Sequence, residues 1–135
     1  MKPSNASIAV DTNLLLRALV DDPTAEAQSA AARQFLMHMT QVYVSQIVQV
    51  ELTWVLRRVY AFSRDEICQL LQRLRSNAVI RLQFVDAFDA ALELYRSGAD
   101  FADALIVHEA KRVRVELVTF DKKLAERLGA RLLAH

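Results

Sequence analysis

Ile8-Ala9-Val10-Asp11-Thr12-Asn13 is the stretch that decides the fold. Its three apolar residues include two β-branched ones and make a short strand. The run stops at Asp11-Thr12-Asn13, which are helix-capping types, and residues 14–20 then read as helix. The same alternation continues. After the Asp21-Asp22-Pro23 turn, residues 24–39 carry Ala25, Ala27, Ala31, Phe35 and Leu36 at helical spacing. Residues 42–44 are strand-like, Ser45 is a cap, and residues 46–60 form a strongly apolar helix. Ser63 and Glu66 have capping-box spacing at the head of a helix reaching about residue 75. Residues 79–85 alternate apolar side chains with Arg81 and Gln83, as a partly exposed strand does. Asp86 caps a helix through Tyr95, and Gly98 stops it. Residues 101–112 form another helix, 115–120 a strand, 122–128 a short helix and 131–133 a last strand. Strands alternating with helices over short connections predict an α/β protein with a parallel sheet covered on both faces.

Composition bounds the function. The chain has 135 residues, a net charge of +1, 53% hydrophobic and 24% charged residues. One compact domain over residues 1–135 is expected, with no linker or repeat. No basic tail or block is present, so any phosphate recognition must come from a local patch. A single cysteine, Cys68, excludes an internal disulfide and a cysteine-built zinc site. Two isolated glycines, Gly98 and Gly129, exclude a Walker loop and a Rossmann fingerprint, which need closely spaced glycines. The N-terminus has only Lys2 and no long apolar run after it, and every apolar stretch is too short to span a bilayer. A cytoplasmic domain without a leader or membrane segment is expected.

Four carboxylates stand in informative places. Asp11 and Asp121 each follow a strand, and parallel α/β sheets put ligand sites at the carboxyl ends of their strands. Each is equally placed to cap the next helix. Glu51 has Ile47, Val48, Trp54 and Val55 as helical neighbours, an apolar stripe in which an unpaired charge is costly. A structural ion pair is the other way to satisfy it. Asp103 faces Asp100, Ile106 and Val107; Asp100 reads as an N-cap, and Asp103 as either an acid in the first helical turn or a functional group. Converging carboxylates repel unless a cation compensates them, and oxygen-only ligands suit Mg²⁺ or Mn²⁺ rather than zinc. Such metal sites typically act on phosphate. His38, His108 and His135 are scattered and form no ligand pair.

The ordered set of Ala9-Val10-Asp11-Thr12-Asn13, Glu51, Asp100-Phe101-Ala102-Asp103-Ala104 and Thr119-Phe120-Asp121 resembles the PIN-domain ribonucleases, and within them the VapC-type toxins of toxin–antitoxin modules. The likeness covers nearly the whole chain, with the acids 40, 52 and 18 residues apart. It implies a three-layer α/β/α fold around a mostly parallel sheet. It also implies Asp11, Glu51, Asp103 and Asp121 as the quartet holding Mg²⁺ or Mn²⁺, with Asn13 and Thr119 shaping the site and Asp100 beside it. The implied activity is endonucleolytic cleavage of RNA, often a tRNA or rRNA loop. Implied partners are a second copy of the chain and a VapB-type antitoxin.

Among the basic clusters, Lys122-Lys123 adjoins Asp121 and is the first choice for phosphate; Arg57-Arg58 and Lys111-Arg112-Arg114 are further candidates. Each is also an ordinary solvated helix face. Trp54 reads as a core or interface residue rather than a base-stacking platform, and Phe35, Leu36 and Leu56 default to core packing. Two other functions compete: a PIN-like scaffold that binds RNA or protein without cutting, and a haloacid-dehalogenase-like phosphatase. The latter needs a second aspartate two places after Asp11, where Asn13 stands.

Overall fold

The computed structural model describes residues 7–135; the leader reading falls on residues 1–6 and lies outside them. Strands β1 (Ser7–Ala9), β2 (Gln41–Val44) and β3 (Ile80–Leu82) form a parallel sheet in the order β1-β2-β3. Ile8 lies opposite Val42, Val42 opposite Ile80, and Val44 opposite Leu82. Because side chains alternate across a strand, these residues share one face, and Val42 and Val44 are fully buried there. Ser7, Ala9, Gln41, Tyr43 and Arg81 on the opposite face are exposed.

Helix α1 (Thr12–Leu19) follows β1 directly, and a 3₁₀ turn at Pro23–Ala25 leads into α2 (Glu26–Leu36). Then come α3 (Gln46–Arg58), α4 (Arg64–Ser76), α5 (Val85–Arg96) and α6 (Phe101–Arg112). The core gathers Leu15, Leu52, Leu56, Ile67, Leu71, Phe88 and Phe101 beneath the sheet. The Phe101 ring stands edge-on to Phe88 at 5.8 Å and to Tyr95 at 6.2 Å, which seats α6 against α5. The chain closes with β4 (Val118–Thr119), α7 (Lys122–Leu128) and β5 (Arg131–Leu132). The α/β class and the parallel pairing match the sequence expectation.

Local chemistry explains where the elements stop. The capping box forms as expected: the Glu66 amide donates to the Ser63 hydroxyl at 3.1 Å, and the Ser63 amide to the Glu66 carboxylate at 2.8 Å. Gly98 ends α5 at φ +113°, with its amide on the Tyr95 carbonyl and the Ala99 amide on the Leu94 carbonyl.

Several boundaries differ from expectation. The helix expected over 24–39 is shortened to Glu26–Leu36, because Asp22 accepts the Thr24 amide and holds the preceding turn. The strand expected over 79–85 narrows to Ile80–Leu82. Phe84, at φ +51°, turns the chain, and its carbonyl accepts the first bond of α5. Asp86 therefore sits in the first turn rather than at the cap. The strand expected over 115–120 reduces to Val118–Thr119, since the amides of Val113, Arg114 and Val115 all bond the last carbonyls of α6. Finally, β4 pairs in parallel with β5 alone, so among the described residues the strands form two sheets rather than one. Asp11 and Asp121 thus follow strands of different sheets.

Candidate functional site

Asp100, Asp103, Asp121 and Glu51 divide between two neighbouring depressions. Asp100, Asp103 and Asp121 line a cleft of about 510 Å³ between α3, the start of α6, and α7. Each is placed by its own local structure. The α5–α6 turn is pinned from both sides: the Arg64 guanidinium donates to the carbonyls of Tyr95 at 2.8 Å and Ala99 at 2.9 Å, and Arg127 to that of Gly98 at 3.2 Å. Arg64 also lies over the Tyr95 ring, 4.3 Å from its centroid. The clamped turn sets Asp100 as the N-cap of α6, accepting the Asp103 amide at 3.0 Å. Asp121 caps α7 through the amides of Lys123 and Leu124, and its own amide donates to the Thr119 hydroxyl at 2.9 Å.

Asp103 is the half-buried member. Burial pushes its carboxyl above the ordinary value of 3.8, and the negative charges of Asp100 and Asp121 push in the same direction. Among the described residues, no Lys or Arg forms an ion pair with Asp11, Glu51, Asp100, Asp103 or Asp121. The cations on the cleft wall, Arg57, Arg58, Arg64, Lys123 and Arg127, have no carboxylate partner either. Acids without a counter-ion thus share the cleft with cations that no acid neutralises.

Glu51 lies in the second depression with Thr12, Asn13 and Trp54. It is exposed and accepts a 2.6 Å hydrogen bond from the Thr12 hydroxyl. The expected buried apolar stripe is therefore corrected. The face of α3 that is buried carries Val48, Gln49, Leu52, Thr53 and Leu56, while Ile47, Glu51 and Trp54 look outward. Asp11 is exposed and caps α1, accepting the Leu14 amide at 2.9 Å.

The capping readings of Asp11, Asp100 and Asp121 hold, and the ion-pair reading of Glu51 does not. The expectation that the four acids converge is not met in this arrangement. Among the described residues, no three His, Cys, Asp or Glu side chains are gathered as a metal-holding group. The donor chemistry nevertheless fits a hard divalent cation. It is all oxygen, and at Asp103 it carries repulsion that a cation would relieve.

Of the basic candidates, Lys123 and Arg57 line the cleft and Lys122 does not. Sequence reasoning missed Thr12 as the partner of Glu51, although it stands beside Asp11 in the opening motif. It also missed Arg64 and Arg127, whose carbonyl partners come from distant turns and leave no pattern in the sequence.

A parallel α/β frame with carboxylates after its strands borders a cation-lined cleft. The PIN domain family matches residues 8–129, and the chain belongs to that family. No curated protein matches it. PIN domains are generally nucleases, which implies a nucleic-acid substrate, and they typically use divalent metals. No helix among the described residues is long and apolar enough to cross a membrane.

Proposed function

We propose that this PIN domain hydrolyses RNA phosphodiester bonds with Mg²⁺ or Mn²⁺, as the toxin of a VapBC-type pair. The observation that carries the reading is the cleft, which Asp100, half-buried Asp103 and Asp121 line together with Arg57, Arg58 and Lys123 that have no carboxylate partner among the described residues. Asp11, Glu51, Asp103 and Asp121 are the residues that would hold the cation, which requires the separated acids to draw together on binding. When bound, it supplies Lewis acidity at a phosphoryl oxygen and makes water a better nucleophile. The chain's own groups bind and orient. Lys123 and Arg57 take phosphates, Thr12 fixes the Glu51 carboxylate, and Thr119 fixes the backbone of Asp121. Asn13 shapes the rim next to Glu51.

The test uses the purified chain, free of partners, with a mixed RNA pool and Mg²⁺ or Mn²⁺, beside Asp11→Asn and Asp103→Asn. The expected result is cleavage that chelator abolishes and both variants lack. A second reading, the non-catalytic scaffold, is favoured by one fact: Asp11, Asp100 and Asp121 already accept backbone amides as helix caps. RNA that the wild type binds and never cuts would establish the scaffold and overturn the nuclease.

The VapB-like antitoxin and the homodimer rest on the resemblance to VapC-type toxins, and the exposed Phe35, Met37, Ile47 and Val59 offer apolar surface for such contacts. A small protein encoded immediately upstream is expected to copurify and to block cleavage.

A further inference from the structure

Trp54 is the only tryptophan in the chain, and 54% of it is exposed on the outer face of α3. An indole open on the outer face of a helix is free to serve a function there. Its position supplies one. Among the described residues, Trp54 is the single side chain common to the cleft of Asp100, Asp103 and Asp121 and the groove of Thr12, Asn13 and Glu51. Trp54 therefore borders both groups of acids. The Arg58 guanidinium lies over the ring, 5.8 Å from its centroid, and Arg57 and Lys123 line the cleft alongside.

The structure assigns Trp54, on our reading, as a positioning residue that stacks one unpaired base of the substrate and so sets which phosphate reaches the acids. The assignment rests on the nuclease reading above for what happens to that phosphate, but the binding it describes needs no cleavage. The physical case has three parts. An exposed aromatic face next to cations without acid partners is the combination that binds a single strand, with bases on the ring and phosphates on the charges. A duplex keeps its base faces inside its own stack and cannot present one to Trp54. The acids on either side would repel a polyanion, so a base anchor and cations between them are what hold the strand across the site. On the cleft side Arg57, Arg58 and Lys123 accompany the indole and favour a polyanion, while Leu16, Val55 and Val59 line the groove side.

A single tryptophan makes the test direct, because its emission reports on this one position. The full-length protein is titrated in chelator with an oligoadenylate of about eight nucleotides, an abasic oligomer of equal length and an RNA duplex. Saturable quenching by oligoadenylate, and not by the other two, is expected. Trp54→Ala is expected to weaken oligoadenylate binding roughly 5- to 100-fold and leave the abasic oligomer within about twofold, with Trp54→Phe retaining most of the affinity. Circular dichroism checks that both variants fold. Oligoadenylate binding with unchanged emission, or with unchanged affinity in Trp54→Ala, would overturn the assignment. So would a Trp54→Ala variant that changes oligomeric state on sedimentation and keeps its RNA affinity, which would make Trp54 a protein contact. Absence of any oligonucleotide binding would also overturn it, and the nuclease reading would then stand or fall separately on the metal-dependent cleavage assay.

Discussion

Asp103 shows how a single side chain can work against the fold that carries it. Its carboxyl is raised above 3.8, first by burial and then by Asp100 and Asp121. A folded-state value above the unfolded one means that the unfolded chain gives up its proton first. Stability therefore falls as pH climbs from 3.8 through the raised value, and the deficit persists at neutral pH. Asp103→Asn should accordingly melt at a higher temperature than the wild type at pH 7 in chelator, with the difference closing near pH 3, while losing cleavage. A variant that is no more stable in chelator at pH 7 would show that burial and the neighbouring acids impose no such deficit at Asp103. Asp22 and Glu66 work in the opposite direction. Hydrogen bonds from Thr24, then Tyr60, hold Asp22 below 3.8, and those from Ser63 hold Glu66 below 4.5. Their contribution is complete above these values and is lost as pH falls through the lower folded ones.

At the scale of elements, two helix ends carry the site's precision. The turn after α5 needs φ +113° at Gly98, a region that side-chain-bearing residues rarely enter, and a Cβ there would lie 2.9 Å from the Arg127 guanidinium. Gly98→Ala is expected to cost about 1–3 kcal/mol in chemical denaturation and to weaken metal binding by loosening Asp100 and Asp103. The end of α6 repeats the same capping pattern with Arg114 at φ +59°, where glycine would be unstrained. Arg114→Gly should therefore stabilise the chain, by up to about 1 kcal/mol. Buried Gln49 ties elements together from α3, donating to the carbonyls of Val44 at 3.2 Å and Gln83 at 2.9 Å where β2 and β3 end. Gln49→Ala leaves both carbonyls without that donor and is expected to cost about 2–3 kcal/mol by the same denaturation assay.

For the molecule as a whole, the core and the site are coupled through α3. One face of this helix buries Leu52 and Leu56 completely, and the other presents Glu51 and Trp54. Leu52→Ala should destabilise by about 2–5 kcal/mol and lower activity only in proportion to the unfolded fraction. Bound Mg²⁺ should stabilise the folded state by mass action, by about 2.7 kcal/mol at a hundredfold excess over its dissociation constant, and so raise the melting temperature. That shift should be absent in Asp103→Asn. No shift in the wild type at millimolar metal would count against the cation site.

Local rules were enough for much of this protein. Capping residues declared the starts of α1, α3, α4, α6 and α7, and Gly98 the end of α5, because a cap is a bond between residues two or three apart. The alternation of strands with helices gave the α/β class, and the family was legible as a resemblance carried by the motifs around Asp11, Glu51, Asp100–Ala104 and Asp121. Tertiary packing decided the remainder. The sequence set Glu51 in an apolar stripe of Ile47, Val48, Trp54 and Val55, and only the position of the core chose Val48, Leu52 and Leu56 for the inside and left Trp54 out. The length of β4 depended on which carbonyls its preceding amides met, and the pinned turn before α6 on arginines from α4 and α7. Contacts of that kind join residues far apart in the chain, where no short-range pattern records them.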